Sequence, residues 1–79
     1  MNNAIRWQCR RGMLELDVIL NRFLDQRYAS LSFVQKNIFS ELLKQDDPTL
    51  FDWLVAGVPC NHAPLREMVT QLLGSHPTP

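Results

Sequence analysis

The spacing of the apolar residues constrains this chain more than any other feature of its sequence. They recur at steps of three and four residues, as on one face of a helix. No segment alternates apolar and polar residues over a length that would form a strand. We therefore predict an all-α protein, a compact bundle of five short helices. A chain of 79 residues has room for one hydrophobic core, so we predict a single domain spanning residues 1–79.

Capping and turn residues indicate where the helices begin and end. The predicted helices run from about Ala4 to Arg11, from about Met13 to Tyr28, from Ser32 to about Lys44, from Asp47 and Pro48 to Gly57, and from Pro64 to Gly74. Asn2 or Asn3 can cap the first helix, and Asp47 can cap the fourth. Ser32 with Gln35 matches a capping box. Residues 75–79 are predicted to be a frayed tail.

The buried stripes of these helices follow from the same spacing. On the second helix the predicted core residues are Met13, Leu16, Ile19, Leu20, Phe23 and Leu24. On the third they are Val34, Ile38, Phe39, Leu42 and Leu43, and on the fifth Leu65, Met68, Val69, Leu72 and Leu73. Each set occupies one face of its helix, which favours a bundle over isolated helices.

The cysteines and the apolar segments indicate a cellular compartment. Cys9 and Cys60 form no CxxC pair and no dense framework, so we expect buried, reduced thiols. The first residues have neither the apolar run of a secretory signal nor the composition of a transit peptide. No stretch approaches the roughly 18 apolar residues of a membrane span. We expect a soluble protein without membrane insertion, most simply of a bacterial cytoplasm.

The charges are balanced overall and uneven along the chain. The formal net charge is zero, yet residues 1–36 carry six basic and three acidic groups, and residues 37–79 carry two basic and five acidic groups. A protein that binds nucleic acid normally has a positive excess with which it displaces counterions from phosphates. The balance argues against a nucleic-acid partner, although a helical DNA-binding module stays an alternative.

The sequence contains no convincing catalytic or metal-binding motif. Its three glycines are isolated, which excludes a glycine-rich phosphate loop. Cys60 and His62 could supply half of a zinc site, but no second pair of ligands exists. Arginines near Cys9 could lower its pKa, yet no histidine accompanies it, so core packing is favoured. Asp46 and Asp47 precede a proline, which favours helix capping over acid–base chemistry. We predict no catalytic residue, no metal and no tightly bound cofactor.

The segment CRRGMLELD, residues 9–17, is unusual because it places Gly12 among charged residues. Glycine inside a helix costs about 1 kcal/mol relative to alanine. Arg11 and Glu15 lie four residues apart and could pair on a continuous helix. Two interpretations follow: a solvated ion pair at a helix junction, or a recognition patch in which Gly12 lets a partner approach the backbone between an arginine and a carboxylate.

Two blocks of sequence resemble one known family. The first is WQCRRGMLELD, and the second is FSELLKQDDPTLFDWL, residues Phe39 to Leu54. Both are similar to the FAD assembly factor SdhE family, also called succinate dehydrogenase assembly factor 2, whose hallmark RGxxE motif falls here on Arg11, Gly12 and Glu15. Its members are five-helix bundles. Some have also been described as antitoxins, so a protein-interaction regulator without a flavin role stays an alternative.

The resemblance implies a function and a binding site. Family members bind the flavoprotein subunit of succinate dehydrogenase, in bacteria also that of fumarate reductase, and promote covalent attachment of FAD to its histidine. The factor is then a chaperone-like monomer and not an enzyme, and it meets FAD through this flavoprotein, its client. The implied client-binding residues are Arg11, Gly12 and Glu15, flanked by Arg10 and Asp17. Leu14 stands where relatives often carry a basic residue, which alters the rim of the site.

Overall fold

The computed structural model describes residues 3–74, and the elements formed by these residues confirm the all-α prediction. The helices are α1 (Asn3–Gln8), α2 (Leu14–Gln26), α3 (Phe33–Leu42), α4 (Asp47–Leu54) and α5 (Ala63–Gly74), with a short 3-10 helix (Tyr28–Ser30) between α2 and α3. They fold into a body of 30 × 28 × 26 Å. The possible cap at Asn2 and the predicted tail at 75–79 lie outside the described residues.

The boundary between α1 and α2 differs from the prediction. α1 ends at Gln8 and not at Arg11, and its end tightens into a turn in which the N–H of Cys9 and of Arg10 each bond a carbonyl three residues earlier. α2 begins at Leu14 after an extended Met13. The apolar spacing predicted the buried faces, but it does not show where a backbone leaves the helical conformation.

The capping box at the start of α3 is confirmed. Gln35 donates its backbone N–H to Ser32 Oγ at 3.1 Å, and the side chain of Gln35 accepts the backbone N–H of Ser32 at 2.9 Å. Two backbone donors at the helix end are thereby satisfied by two side chains. The helix ends at Leu42, two residues before the predicted Lys44.

The cap of α4 was predicted one residue too late. Asp46, not Asp47, precedes the helix, and its carboxylate accepts the backbone N–H of Thr49 at 3.1 Å. Hydrogen bonds from the side chain of Thr49 and from its backbone N–H hold the pKa of Asp46 below its ordinary value. Asp47 is the first helical residue and Pro48 the second. The carboxylate of Asp47 is therefore available for another partner.

In the core, α5 contacts α2, α3 and α4, and α2 also contacts α4. The side chains that lose essentially all solvent contact include Leu16, Leu20, Phe23, Phe39, Leu42, Leu50, Leu65 and Leu72. The Phe39 ring lies 5.4 Å from that of Phe23 and 5.6 Å from that of Tyr28. Val34 and Leu73 were predicted to be buried and are instead 64% and 43% exposed.

Both cysteines are buried and unpaired, as predicted. Burial raises the pKa of the Cys9 thiol to about 11, outweighing the opposing effect of Arg6 and Arg11. The Cys60 thiol donates to the backbone carbonyl of His62 at 3.5 Å, and the His62 side chain is exposed. Within residues 3–74 no three histidine, cysteine or acidic side chains gather as a metal site would require.

Candidate docking site

The turn between α1 and α2 presents Gly12 to solvent. Its φ of +81° lies in the left-handed region, which side chains rarely adopt. A Cβ at this position would meet no atom within 4 Å. Glycine is therefore required here by the backbone conformation and not by crowding from the chain's own atoms. The open space leaves the backbone accessible to another protein.

Arg11, directly before Gly12, points into its own chain. Its side chain is only 16% exposed, and its Nε donates to Asp47 Oδ1 at 2.8 Å. Its two terminal nitrogens donate to the carbonyls of Gln8, Leu43 and Gln45. The ion pair with Glu15 that the spacing allowed is not formed, because the helix does not continue through Gly12.

Asp17 fixes the same turn from the other side. Its Oδ1 accepts the backbone N–H of Arg11 at 2.6 Å. One turn later, the side-chain amide of Asn21 donates to the carbonyls of Cys9 and Asp17, at 3.2 and 2.8 Å. The backbone on the N-terminal side of Gly12 is thus tied to α2 by two side chains of that helix.

Glu15 and Arg10 are the predicted site residues whose charges face solvent. Glu15 is exposed, and its carboxylate makes no hydrogen bond or ion pair with any of residues 3–74. Arg10 is also exposed, and its guanidinium lies over the ring of Trp7, 5.4 Å from the ring centroid. The Trp7 ring is itself 67% exposed. A carboxylate and an arginine–tryptophan stack therefore flank the Gly12 turn in sequence, both open to a partner.

An apolar groove runs beside Glu15, and sequence reasoning missed it. Its volume is about 590 Å³, and its lining residues are Leu14, Glu15, Val18, Ile19 and Arg22 of α2 with Leu54, Val55 and Leu73. We call it the α2 groove. Leu14 is 75% exposed and Val18 is 42% exposed. The available signal was that both are apolar residues of α2 outside its predicted core set.

The helices and this surface define a small all-helical protein whose candidate site is a docking surface. Residues 3–76 match the family model described as flavinator of succinate dehydrogenase, Sdh5. The chain belongs to this family. In keeping with the resemblance drawn from the two sequence blocks, the proteins to which it is similar are also FAD assembly factors.

Three relatives illustrate the similarity. The FAD assembly factor SdhE of Coxiella burnetii is 44% identical over 71 residues, which cover 90% of this chain and 87% of that protein. The SdhE of Idiomarina loihiensis is 48% identical over 69 residues, which cover 87% of this chain and 77% of that protein. The SdhE of Shewanella oneidensis is 47% identical over 75 residues, which cover 94% of this chain and 92% of that protein.

None of the helices formed by residues 3–74 combines the length and the hydrophobicity needed to cross a lipid bilayer. The longest, α2, has 13 residues.

Proposed function

We propose that this protein binds the flavoprotein subunit of succinate dehydrogenase, and that of fumarate reductase where one is present, and promotes covalent attachment of FAD to a histidine of that subunit. It acts as a cytoplasmic monomer, without holding FAD tightly itself and without inserting into a membrane. Membership of the flavinator family supports this proposal. The single structural observation that carries it is the open Gly12 turn beside the exposed carboxylate of Glu15, which has no partner among residues 3–74.

The proposed role needs no catalytic group on this chain. A client can form the bond itself once its histidine nitrogen is aligned with the flavin, because correct alignment supplies much of the rate. A protein that binds the aligned conformation more tightly than the others raises its population. Of the potential nucleophiles, the Cys9 thiol is buried and its pKa is about 11, which leaves it unreactive near neutral pH.

The surface offers a client three kinds of contact. Gly12 lets a partner come close to the backbone, and the Glu15 carboxylate can accept charge-assisted hydrogen bonds. Leu14 and Val18 extend this site into the α2 groove, and exposed apolar surface of this kind marks protein interfaces. Arg10, stacked on Trp7, lies at the edge, and these two residue types are enriched among the residues that dominate binding energy.

A flavinylation assay tests the proposal. Client subunit and FAD are incubated with the wild-type protein, with Glu15→Ala or with Glu67→Ala, and covalent flavin is read as fluorescence in a denaturing gel. Glu67 is a matched control because it is an exposed glutamate that borders a different groove, between α3 and α5. We expect Glu15→Ala to lower covalent flavin and Glu67→Ala to leave it unchanged. Equal labelling with all three proteins, or with none added, would count against the proposed function.

A further inference from the structure

The bonds of Arg11 join the docking turn to a distant part of the chain. A guanidinium has five N–H donors, and here four hydrogen bonds reach Gln8 in α1, Leu43 and Gln45 between α3 and α4, and Asp47 in α4. Three of these acceptors lie 32 to 36 residues further along the sequence. The turn that carries Gly12 is therefore held against the α3–α4 connection by one side chain.

The location explains why an arginine suits this position. Gln8 ends α1 and Leu43 follows the end of α3, so both carbonyls belong to helix ends where no intrahelical donor reaches them. Asp47 is the first residue of α4, where a carboxylate is favoured by the helix dipole. A planar, permanently charged fork can bond two helix C-termini and one carboxylate at once, whereas lysine cannot reproduce this geometry.

Asp47 is the only side-chain acceptor among these four contacts, because the other three are backbone carbonyls. It is also the member that a mutation can remove without altering the backbone. The Asp47 side chain is 39% exposed and lies outside the core, so its loss need not unfold the protein.

We propose that Asp47, through its bond to the Arg11 guanidinium, is a positioning residue for client docking: it holds the Gly12 turn in the conformation that the client binds. This inference rests on the proposed function. Asp47 touches no client in this scheme. It orients Arg11, whose backbone N–H is fixed by Asp17 and whose carbonyl leads into Gly12.

The test compares Asp47→Ala, Asp47→Asn and Asp46→Ala. Asp46 is the matched control because it caps the same helix through Thr49 and forms no hydrogen bond with Arg11 among residues 3–74. Asparagine at position 47 keeps an oxygen that can accept the Arg11 Nε–H. The readouts are the affinity for the client flavoprotein subunit from the same genome, measured at a temperature where every variant is folded, and the chemical shift and relaxation of the Gly12 amide by NMR.

We expect Asp47→Ala to weaken client binding several-fold and to move the Gly12 amide resonance. Asp47→Asn should recover most of the affinity, and Asp46→Ala should alter neither readout even where it lowers the melting temperature. Binding by Asp47→Ala equal to wild type, with an unmoved Gly12 amide, would overturn the inference and leave the proposed function intact. A loss of binding in Asp46→Ala equal to that in Asp47→Ala would overturn it as well.

The two proposals fail in distinguishable ways. Failure of the wild-type protein to bind any client subunit, while Asp47→Ala still shifts the Gly12 amide, would reject the proposed function and with it the role of Asp47 in docking. Client binding by wild type that is lost with Glu15→Ala but kept with Asp47→Ala would reject the positioning role alone.

Discussion

Arg11 Nε lies 2.8 Å from Asp47 Oδ1, although 36 residues separate them in the sequence. The first block, WQCRRGMLELD, contributes the arginine, and the second block, FSELLKQDDPTLFDWL, contributes the carboxylate. The two blocks that pointed to one family are thus two sides of one contact. Arg11, which the RGxxE motif suggested as a client-binding residue, has in the free protein a set of partners within its own chain.

Substitution of Gly12 should reveal its backbone conformation. Gly12→Ala is expected to lower the free energy of unfolding by about 1 to 2 kcal/mol, because a residue with a Cβ is strained in the left-handed region. Gly12→Asn should lower the free energy of unfolding by less, since asparagine adopts the left-handed conformation more readily. Urea unfolding monitored by tryptophan fluorescence measures both. An alanine variant as stable as wild type would show that the turn can relax to a negative φ.

Loss of apolar surface in the α2 groove should weaken client binding without unfolding the protein. Val18→Gln is expected to reduce client affinity by about 1 to 2 kcal/mol, the scale of burying one valine side chain at an interface. Val34→Gln is the control, because Val34 is an exposed valine of α3 that lies outside this groove. Isothermal titration calorimetry with the client subunit measures the affinity. Equal losses for the two variants would argue against the α2 groove as a contact.

Removal of the capping box should destabilise the protein. Ser32→Ala is expected to cost about 1 kcal/mol of stability, because it leaves the backbone N–H of Gln35 without its side-chain acceptor. Ser30→Ala is the comparison: its hydroxyl donates to a carbonyl in the preceding turn and caps no helix in the part of the chain described here. Thermal unfolding by circular dichroism distinguishes them. Client binding at low temperature should be unaffected by either change.

Stability should fall at alkaline pH because Cys9 must be buried as a neutral thiol. Its pKa rises from 9.0 to about 11 on folding, so the associated stability is fully present below pH 9 and is lost as the pH rises toward 11. The loss is expected to reach about 2 to 3 kcal/mol. Urea midpoints for wild type and Cys9→Ala between pH 8 and pH 11 measure it. If Cys9→Ala lost the same amount of stability between pH 8 and pH 11, the loss would come from groups other than Cys9.

The helical faces could be predicted from sequence because core positions repeat with the helical period. Leu16, Phe23 and Phe39 lie where that spacing placed them, buried at the centre of the bundle. Val34 does not: it lies in the first turn of α3 with 64% of the residue exposed, at a groove that Pro64 and Leu65 of α5 also line. The choice between Asp46 and Asp47 as the cap of α4 was ambiguous because either aspartate can precede a helix that carries proline in its first turn.

The contacts of Arg11 could not be predicted in the same way. Three of its four acceptors are backbone carbonyls, which every residue possesses, so no residue type marks them in the sequence. The nearest acidic partner along the chain was Glu15, and only the bend at Gly12 directs the guanidinium away from it. That same bend leaves Glu15 open to solvent.

Because Arg11 bonds the carbonyls of residues 43 and 45, the first half of the chain cannot form all the contacts of the Gly12 turn by itself. A synthetic peptide that spans α1 and α2 alone would contain the whole RGxxE motif but would lack the Leu43 and Gln45 carbonyls and the Asp47 carboxylate that bond the Arg11 guanidinium. A nascent chain still missing its second half is in the same position. In both cases three of the four acceptors described for the Arg11 guanidinium are missing, so the motif can be present while most of the hydrogen bonds that anchor its arginine are absent.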